Sequence, residues 1–265
     1  MKSYILFLIT LCLLSSCSLV QRDTNTFYGH PKYFDVNYQT LYLHTDANQP
    51  FHNWWITPKG AESKATILFF HDIKYSKSYY LSENLKLVDS GYNMLTFDYL
   101  SQGYSDFTWN IGTTKEGIAA LNYLIGEKGL TGQEIIIYAK GSGCYTAIET
   151  IRDFGIKPIC FILDNPTTSL SSLLLEFNAS HNEANQANNI KFENNHKTTP
   201  ILVYSTESNQ NHFEKISDIS DLTVRAHLPG NGSQKILYSA SIRAEINEFI
   251  NMSMNPPTQS RSHSE

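Results

Sequence analysis

The sequence predicts an α/β fold in which helices cover both faces of a mostly parallel, eight-stranded, doubly wound sheet. Six short and mostly apolar runs indicate strands that are buried on both faces, as in parallel sheets. Segments long enough to form helices separate these runs, which is typical of right-handed βαβ units. Before them, two β-rich stretches flank the turn-forming residues 46–50 and predict an antiparallel hairpin at the start of the sheet.

The predicted elements alternate along one continuous domain at 38–254. The hairpin strands are expected at 41–44 and 54–57, and the later strands at 65–70, 92–97, 134–138, 158–163, 200–204 and 222–226. Helices are expected at 79–89, 114–127, 145–153, 169–177 and 240–252. Residues 178–199 are polar and predict a surface loop or lid, and residues 255–265 are rich in Pro and Ser and predict a disordered tail.

The composition excludes several classes of protein. Of the 265 residues, 41% are hydrophobic and 12% aromatic, which is enough for a sizeable packed core. Twenty Lys and Arg against 25 Asp and Glu give a net charge of −5, and no basic stripe is present that would bind a phosphate backbone. Nucleic acid is therefore not an expected partner.

The N-terminus carries an export signal. Lys2 precedes an apolar run at 4–14 that is too short to span a membrane as a mature helix. The following Leu-Ser-Ser-Cys ends at Cys17 and resembles a bacterial lipobox, which implies a lipid anchor on Cys17 after removal of residues 1–16. Ser18 then favours the outer membrane, and residues 17–37 form a spacer. The alternative is an ordinary secretory signal cleaved near the same position.

Two cysteines remain in the exported domain, Cys144 and Cys160. Both fall in segments predicted to be buried, a helix start and a strand, where a free thiol behaves as a small hydrophobe. We expect no disulfide between them. The histidines are scattered and no His, Cys, Asp or Glu set has the spacing of metal ligands, so neither a metal nor a cofactor is expected.

The most informative stretch follows the predicted strand 134–138, where small residues lead into a helix. It resembles the nucleophile elbow of α/β-hydrolases, G-x-S-x-G, with Ala139 and Gly143 as the two small residues. The residue midway between them is Gly141, so the nucleophile's position has no side chain. Ser142 is one residue late, and an apex at Ser142 would place bulky residues at both small positions.

Three further segments carry the same resemblance in the expected order. They are Ala65–Asp72, similar to the strand and His-Gly segment of the family, Asp98–Ser105, similar to its D-Y-R-G-x-G-x-S turn, and Asp164–Pro166, similar to the segment after its sixth strand. The chain is most similar to the esterase and serine-peptidase-like branch, which has no large cap domain. The resemblance implies the α/β-hydrolase fold.

The resemblance also implies a catalytic triad, and this chain departs from it. The acid is expected after the seventh strand, where Asn209 or Ser208 stands. The histidine is expected after a Pro-Gly-x-Gly turn, where Ser233 stands. Asp72 replaces the glycine of the His-Gly segment, which puts a carboxylate beside the backbone amides that would stabilise an oxyanion.

Each remaining candidate has a structural interpretation beside the catalytic one. Ser142 with His227 as base and Asp164 as acid is the alternative triad, although His227 also fits a strand-end histidine and Asp164 a turn former. Lys140 acts as a base only if its pKa is lowered. His71 is more often part of the strand-end scaffold, and Glu207 is expected to be solvated.

Two functions follow from the sequence. The first is a lipid-anchored, catalytically inactive α/β-hydrolase that binds a small molecule, peptide or protein in the cleft at the carboxyl edge of the sheet. Aromatic residues expected near this cleft are Tyr79, Tyr80, Tyr99, Tyr104 and Trp109, with about half of them expected in the core. The second is a serine hydrolase acting on ester or amide bonds through Ser142.

Overall fold

The computed structural model describes residues 26–60, 62–100, 114–167, 197–205, 220–227 and 235–256. Its strands are β1 Asn37–His44, β2 Pro50–Thr57, β3 Thr66–Phe70, β4 Asn93–Phe97, β5 Ile135–Lys140, β6 Phe161–Asp164, β7 Ile201–Ser205 and β8 Thr223–His227. They form one sheet in the order β1-β2-β4-β3-β5-β6-β7-β8. The pairs β1–β2 and β2–β4 are antiparallel and the other pairs are parallel. The predicted mostly parallel, eight-stranded sheet with an N-terminal hairpin is confirmed.

The hairpin is longer than its sequence pattern indicates. β1 and β2 pair over their whole length, from Asn37 opposite Thr57 to His44 opposite Pro50. The first four residues of β1 are exposed on an edge strand, so they lack the apolar alternation from which a strand is predicted.

Four helices pack on the sheet within the described residues: α1 Lys77–Val88, α2 Lys115–Asn122, α3 Gly143–Phe154 and α4 Ala240–Met254. A π-helical turn, Tyr123–Glu127, extends α2. The helix predicted at 169–177 and most of the polar segment 178–199 lie outside the described residues. None of the described helices is both long and apolar enough to cross a membrane.

The sheet separates two apolar layers, as expected for strands buried on both faces. One layer contains Leu68 and Phe70 of β3 and is covered by α2 and α3. The other contains Ile67 and Phe69 of the same strand and is covered by α1 and α4. Because side chains alternate along a strand, the continuous apolar run supplies both layers at once.

The carboxyl ends of β3, β4, β5 and β6 meet at one edge of the sheet. In open α/β sheets ligands bind outside this edge. The segments that leave these strands, beginning at His71, Asp98, Gly141 and Asn165, therefore form the candidate site.

The described part of the predicted spacer lies against the domain. The N–H of Tyr28 donates to Ser78 Oγ at 3.1 Å, and the Tyr28 ring contacts Tyr79 edge-on with 4.9 Å between ring centroids. Packing against α1 therefore begins by residue 28, ahead of β1.

The two remaining cysteines are buried and unpaired. Cys144 lies in the first turn of α3, and Cys160 directly precedes β6. Burial raises the pKa of both thiols, to about 12 for Cys160, so neither is a reactive thiolate.

Candidate functional site at the carboxyl edge of the sheet

The turn between β5 and α3 has the strand-turn-helix form of a nucleophile elbow. Gly141 stands at its apex with φ of +55°, in the left-handed region that favours glycine. Its N–H donates to the carbonyl of Asp164 at 2.9 Å, and its carbonyl accepts from the N–H of Thr167 at 3.0 Å. Ser142 has helical backbone angles, with φ of −65° and ψ of −25°. The apex of the turn is Gly141, one residue before Ser142.

The glycine two residues after the apex has no room for a side chain. A Cβ on Gly143 would lie 2.4 Å from the carbonyl oxygen of Phe70 and 2.5 Å from that of His71. Ala139, on the other side of the apex, is fully buried. The small residues of the motif thus allow the elbow to pack directly on the end of β3.

Asp72 occupies the space in which a side chain at the apex would lie. A Cβ on Gly141 would be 2.2 Å from Asp72 Oδ2 and 2.8 Å from Asp72 Cγ, far inside van der Waals contact. A side chain at position 141 would therefore require the Asp72 carboxylate to move from this position. The two departures from the hydrolase pattern are coupled in space.

The hydroxyl of Ser142 both donates and accepts a hydrogen bond. Ser142 Oγ donates to Asp72 Oδ1 at 3.0 Å and accepts from the N–H of Ile73 at 2.9 Å. Asp72 Oδ1 also accepts from the N–H of Lys74 at 3.0 Å. In α/β-hydrolases an N–H of this loop contributes to the oxyanion hole. Here the Ile73 N–H is bound to Ser142 instead.

Asp164, the acid of the alternative triad, belongs to a buried ion-pair network. Its Oδ2 lies 2.5 Å from Nζ of Lys140, its partner across β5 and β6, and accepts from the hydroxyl of Tyr138 at 3.4 Å. Lys140 Nζ also lies 3.4 Å from Glu83 Oε1, which accepts from the N–H of Leu237 at 3.1 Å. The network connects α1, β5, β6 and the segment before α4.

Two carboxyl groups share one ammonium in this network. Burial by itself lowers the pKa of Lys140, but Asp164 and Glu83 outweigh burial and hold this pKa above its ordinary value. Burial raises the pKa of Glu83 and of Asp164, and Lys140 offsets this only in part. Lys140 is therefore held as a cation and does not supply the free amine that a Ser-Lys mechanism requires.

His71 is fully buried at the end of β3. Its Nδ1 bonds the carbonyl oxygen of Asp72 at 2.9 Å, and its ring packs 4.7 Å from that of Tyr99. Burial lowers the pKa of His71, so the imidazole is neutral. These contacts fit the structural interpretation of this histidine.

A second buried ion pair joins Lys77 and Asp98 at the end of β4. Asp98 Oδ1 also accepts from the N–H of Lys77 at 2.9 Å, which satisfies a free donor at the start of α1. Lys77 Nζ lies 2.6 Å from Nδ1 of His52 and 4.5 Å from the ring centre of Trp54. Burial, followed by the charge of Lys77, lowers the pKa of His52 to about 4, so the neutral ring accepts from the ammonium.

Sequence reasoning missed Glu83 and Lys77. Glu83 lies three residues after Tyr80 and four before Leu87, both buried, so helical spacing was the available signal that Glu83 faces the core. No local pattern distinguishes Lys77 from a solvated lysine at a helix start.

Several of the predicted residues lie outside the part of the chain that the structure describes. These are Asn209, Ser233, Glu207, Tyr104 and Trp109. His227 ends β8, where it pairs with Ser205 of β7.

The described aromatic residues near the cleft are largely structural. Tyr80 and Tyr99 are buried in the core. Tyr79 is half-buried and stacks on Tyr75, with 4.1 Å between the ring centroids.

Comparison with solved structures finds the same fold in several hydrolases. An esterase from Pyrococcus furiosus superposes with a TM-score of 0.67 at 17% identity, over 87% of this chain and 98% of that protein. An alpha-beta hydrolase from Vibrio vulnificus superposes with a TM-score of 0.67 at 19% identity, over 91% of this chain and 86% of that protein. A fluorophosphonate-binding serine hydrolase from Staphylococcus aureus superposes with a TM-score of 0.61 at 13% identity, over 82% of this chain and 99% of that protein. No protein-family model and no curated protein sequence matches the chain.

At these identities the likeness concerns the fold, and activity has to be argued from the site. The strand order, the antiparallel hairpin and the elbow after β5 agree with that likeness. The chain has the α/β-hydrolase fold.

Proposed function

We propose that the protein is an exported lipoprotein of the bacterial cell envelope that binds a ligand or partner at the carboxyl edge of its sheet and does not hydrolyse ester or amide bonds. The Asp72 carboxylate in the space of the apex side chain is the observation that carries the absence of hydrolysis. Hydrolases gain about 3–4 kcal/mol from each donor that stabilises the oxyanion. A carboxylate at this position opposes the same negative charge.

The carboxylate supports a ligand group of the opposite polarity. Asp72 Oδ1 accepts from Ser142 and Lys74, while Asp72 Oδ2 lies beside Gly141, where no side chain intervenes. A hydrogen-bond donor or a cationic group would be stabilised at this oxygen. Such a group can belong to a small molecule, a peptide or a protein.

The alternative is a serine hydrolase that uses Ser142 with His227 and Asp164. Two contacts weigh against it. The Ser142 hydroxyl donates to Asp72 and not to an imidazole, and Asp164 bonds Lys140. Nucleophilic serine requires a neighbouring base that is itself oriented by a third group.

We expect the purified protein to remain unlabelled by a fluorophosphonate probe, because no serine at the elbow is activated. The probe reports an activated serine independently of the substrate. Labelling is measured by in-gel fluorescence and intact mass, and the fluorophosphonate-binding hydrolase from Staphylococcus aureus serves as the positive control.

The Ser142→Ala variant identifies the source of any label. Stoichiometric labelling of the wild type that disappears in Ser142→Ala would contradict the proposed absence of hydrolysis and favour the serine hydrolase. Ester turnover alone is a weaker criterion, because enzymes without their triad retain roughly 10³-fold catalysis.

We expect Cys17 to carry the lipid anchor of the mature protein. Cells expressing the full chain should incorporate labelled palmitate, and Cys17→Ala should abolish incorporation while Cys144→Ala, a buried thiol, should not. Globomycin should cause the unprocessed precursor to accumulate. A wild-type chain that never incorporates palmitate would contradict the anchor and the outer-membrane location that we infer from Ser18.

A further inference from the structure

Exposed aromatic side chains are concentrated in β1 and in the segment that leads into it. Six of the ten exposed large hydrophobic side chains among the described residues lie within residues 27–42, and we call them the aromatic edge. Its members are Phe27, Tyr28, Tyr33, Phe34, Tyr38 and Tyr42. Tyr33 is 69% exposed and Tyr42 61%, so these rings are not part of the core. An exposed aromatic surface, where its rings are contiguous, is a candidate interaction site.

Ring contacts hold the aromatic edge in place. His30 lies at its centre, with its ring centroid 5.3 Å from that of Tyr38, 5.3 Å from that of the buried Trp54 and 6.3 Å from that of Phe27. Tyr42 packs edge-on against His52 at 5.3 Å. The surface is therefore held on the hairpin through Tyr38 and Tyr42, and on α1 through Tyr28.

The aromatic edge has little net charge. Burial, with Lys32 and Lys77, lowers the pKa of His30, so its ring is neutral at pH 7. Asp35 pairs with Lys59, and Lys32 Nζ lies 4.9 Å above the ring of Tyr33. A partner would be recognised through the amphipathic rings and not through a basic or acidic patch.

The position of this edge in the chain indicates its partner. Cys17 precedes Thr26 by nine residues, which reach at most about 32 Å when fully extended. A lipid on Cys17 would hold residues 27–42 near the bilayer. The opposite edge of the sheet is formed by β8 and lies six strands beyond the hairpin.

We propose that the aromatic edge docks on the headgroup region of the lipid bilayer and sets the orientation of the domain on the membrane. Tyrosine rings prefer this region because their apolar body and polar hydroxyl match its two sides. This inference rests on the lipid anchor of the proposed function and not on the absence of hydrolysis. Docked in this way, the hairpin faces the bilayer and β8 points away from it.

The test uses the full chain in phosphatidylcholine vesicles that contain an apolar photoactivatable label. Labelled peptides are quantified by mass spectrometry. We expect residues 27–42 to carry at least about tenfold more label than Leu222, Val224 and Met252, which are similarly exposed at the opposite edge. The difference should persist in high salt, since the surface has little net charge.

Matched variants separate docking from general surface apolarity. Tyr33→Ser with Phe34→Ser and Tyr42→Ser should reduce the excess label on residues 27–42 to the level of the opposite edge. Leu222→Ser with Val224→Ser and Met252→Ser should leave it unchanged. Circular dichroism confirms that both triple variants are folded, since all six side chains are exposed.

Each outcome decides between docking and anchoring. Equal label at both edges in a palmitate-labelled chain overturns docking and keeps the anchor. Preferential label on residues 27–42 in a chain that incorporates no palmitate keeps docking and overturns the anchor. A dimer in sedimentation that the aromatic triple variant dissociates, with residues 27–42 unlabelled, shows that a second copy of this chain covers the surface and overturns docking.

Discussion

Replacing Lys140 with methionine is expected to lower the free energy of unfolding by about 3–5 kcal/mol, because the substitution leaves two buried carboxyl groups without their cation. Lys140, Asp164 and Glu83 are at most 6% exposed, so water cannot replace the lost ammonium. Urea denaturation followed by circular dichroism measures the change. Adding Asp164→Asn and Glu83→Gln to the variant should recover much of the loss, since no carboxylate then remains.

The cost of Lys140→Met should depend on pH with a definite sign. Burial raises the pKa of Glu83 and of Asp164 in the folded protein, and removal of Lys140 raises both further. A carboxyl group whose folded pKa is raised contributes stability in its protonated form, and this contribution is lost as the pH rises through that pKa. The cost should therefore be greatest near pH 8 and should shrink as the pH falls towards 5.

An exposed ion pair provides the control. Lys86 Nζ lies 3.7 Å from Asp89 Oδ2, with side chains that are 41% and 60% exposed. Lys86→Met should change the free energy of unfolding by no more than about 0.5 kcal/mol. If Lys140→Met costs as little as Lys86→Met, the network does not stabilise the junction of β5, β6 and α1.

Gly141→Ala is expected to cost about 3 kcal/mol of stability. The left-handed backbone at Gly141 accounts for about 1–2 kcal/mol of this, and the new Cβ, 2.2 Å from Asp72 Oδ2, accounts for the rest. Asp72→Gly in the same chain should relieve the second part. A double-mutant cycle by urea denaturation should then give a coupling of about 1–3 kcal/mol.

Substitutions at two other glycines measure the backbone contribution and the contribution of the Cβ contact separately. Gly155 has φ of +81°, and no atom beyond its own segment of chain lies within 4 Å of the point where an alanine Cβ would lie, so Gly155→Ala measures the backbone cost alone. Gly143→Ala would meet the carbonyl oxygens of Phe70 and His71, so Asp72→Gly should not rescue it. A Gly141→Ala cost equal to that of Gly155→Ala would mean that Asp72 leaves the apex space open. A coupling of the expected size would show that Asp72 opposes a side chain at position 141.

The fold was accessible from the sequence because the patterns that specify it are local. Apolar runs such as 65–70 and 134–138 must be covered on both faces, and the small residues around Gly141 are those that a tight strand-to-helix turn requires. The exceptions were the starts of β1 and β2, which begin at Asn37 and Pro50 and not at 41 and 54. The start of β1 lies on an edge strand with no buried face and so shows no alternation. The glycine at position 141, where the resemblance implies a serine, was likewise visible, since it is a property of one position.

The arrangement of the site was decided only by the tertiary structure. Asp72 and Ser142 are 70 residues apart in the chain and become neighbours because β3 and β5 are adjacent in the sheet. The sequence alone predicts a carboxylate near the elbow, whereas the packing puts its oxygen where a side chain at position 141 would lie. The role of Asp164 was decided in the same way. Its sequence context fits both a turn former and a triad acid, and only the pairing of β5 with β6 places Lys140 beside it. Local pattern determines which elements form, and through-space contacts between distant strands determine which charges meet.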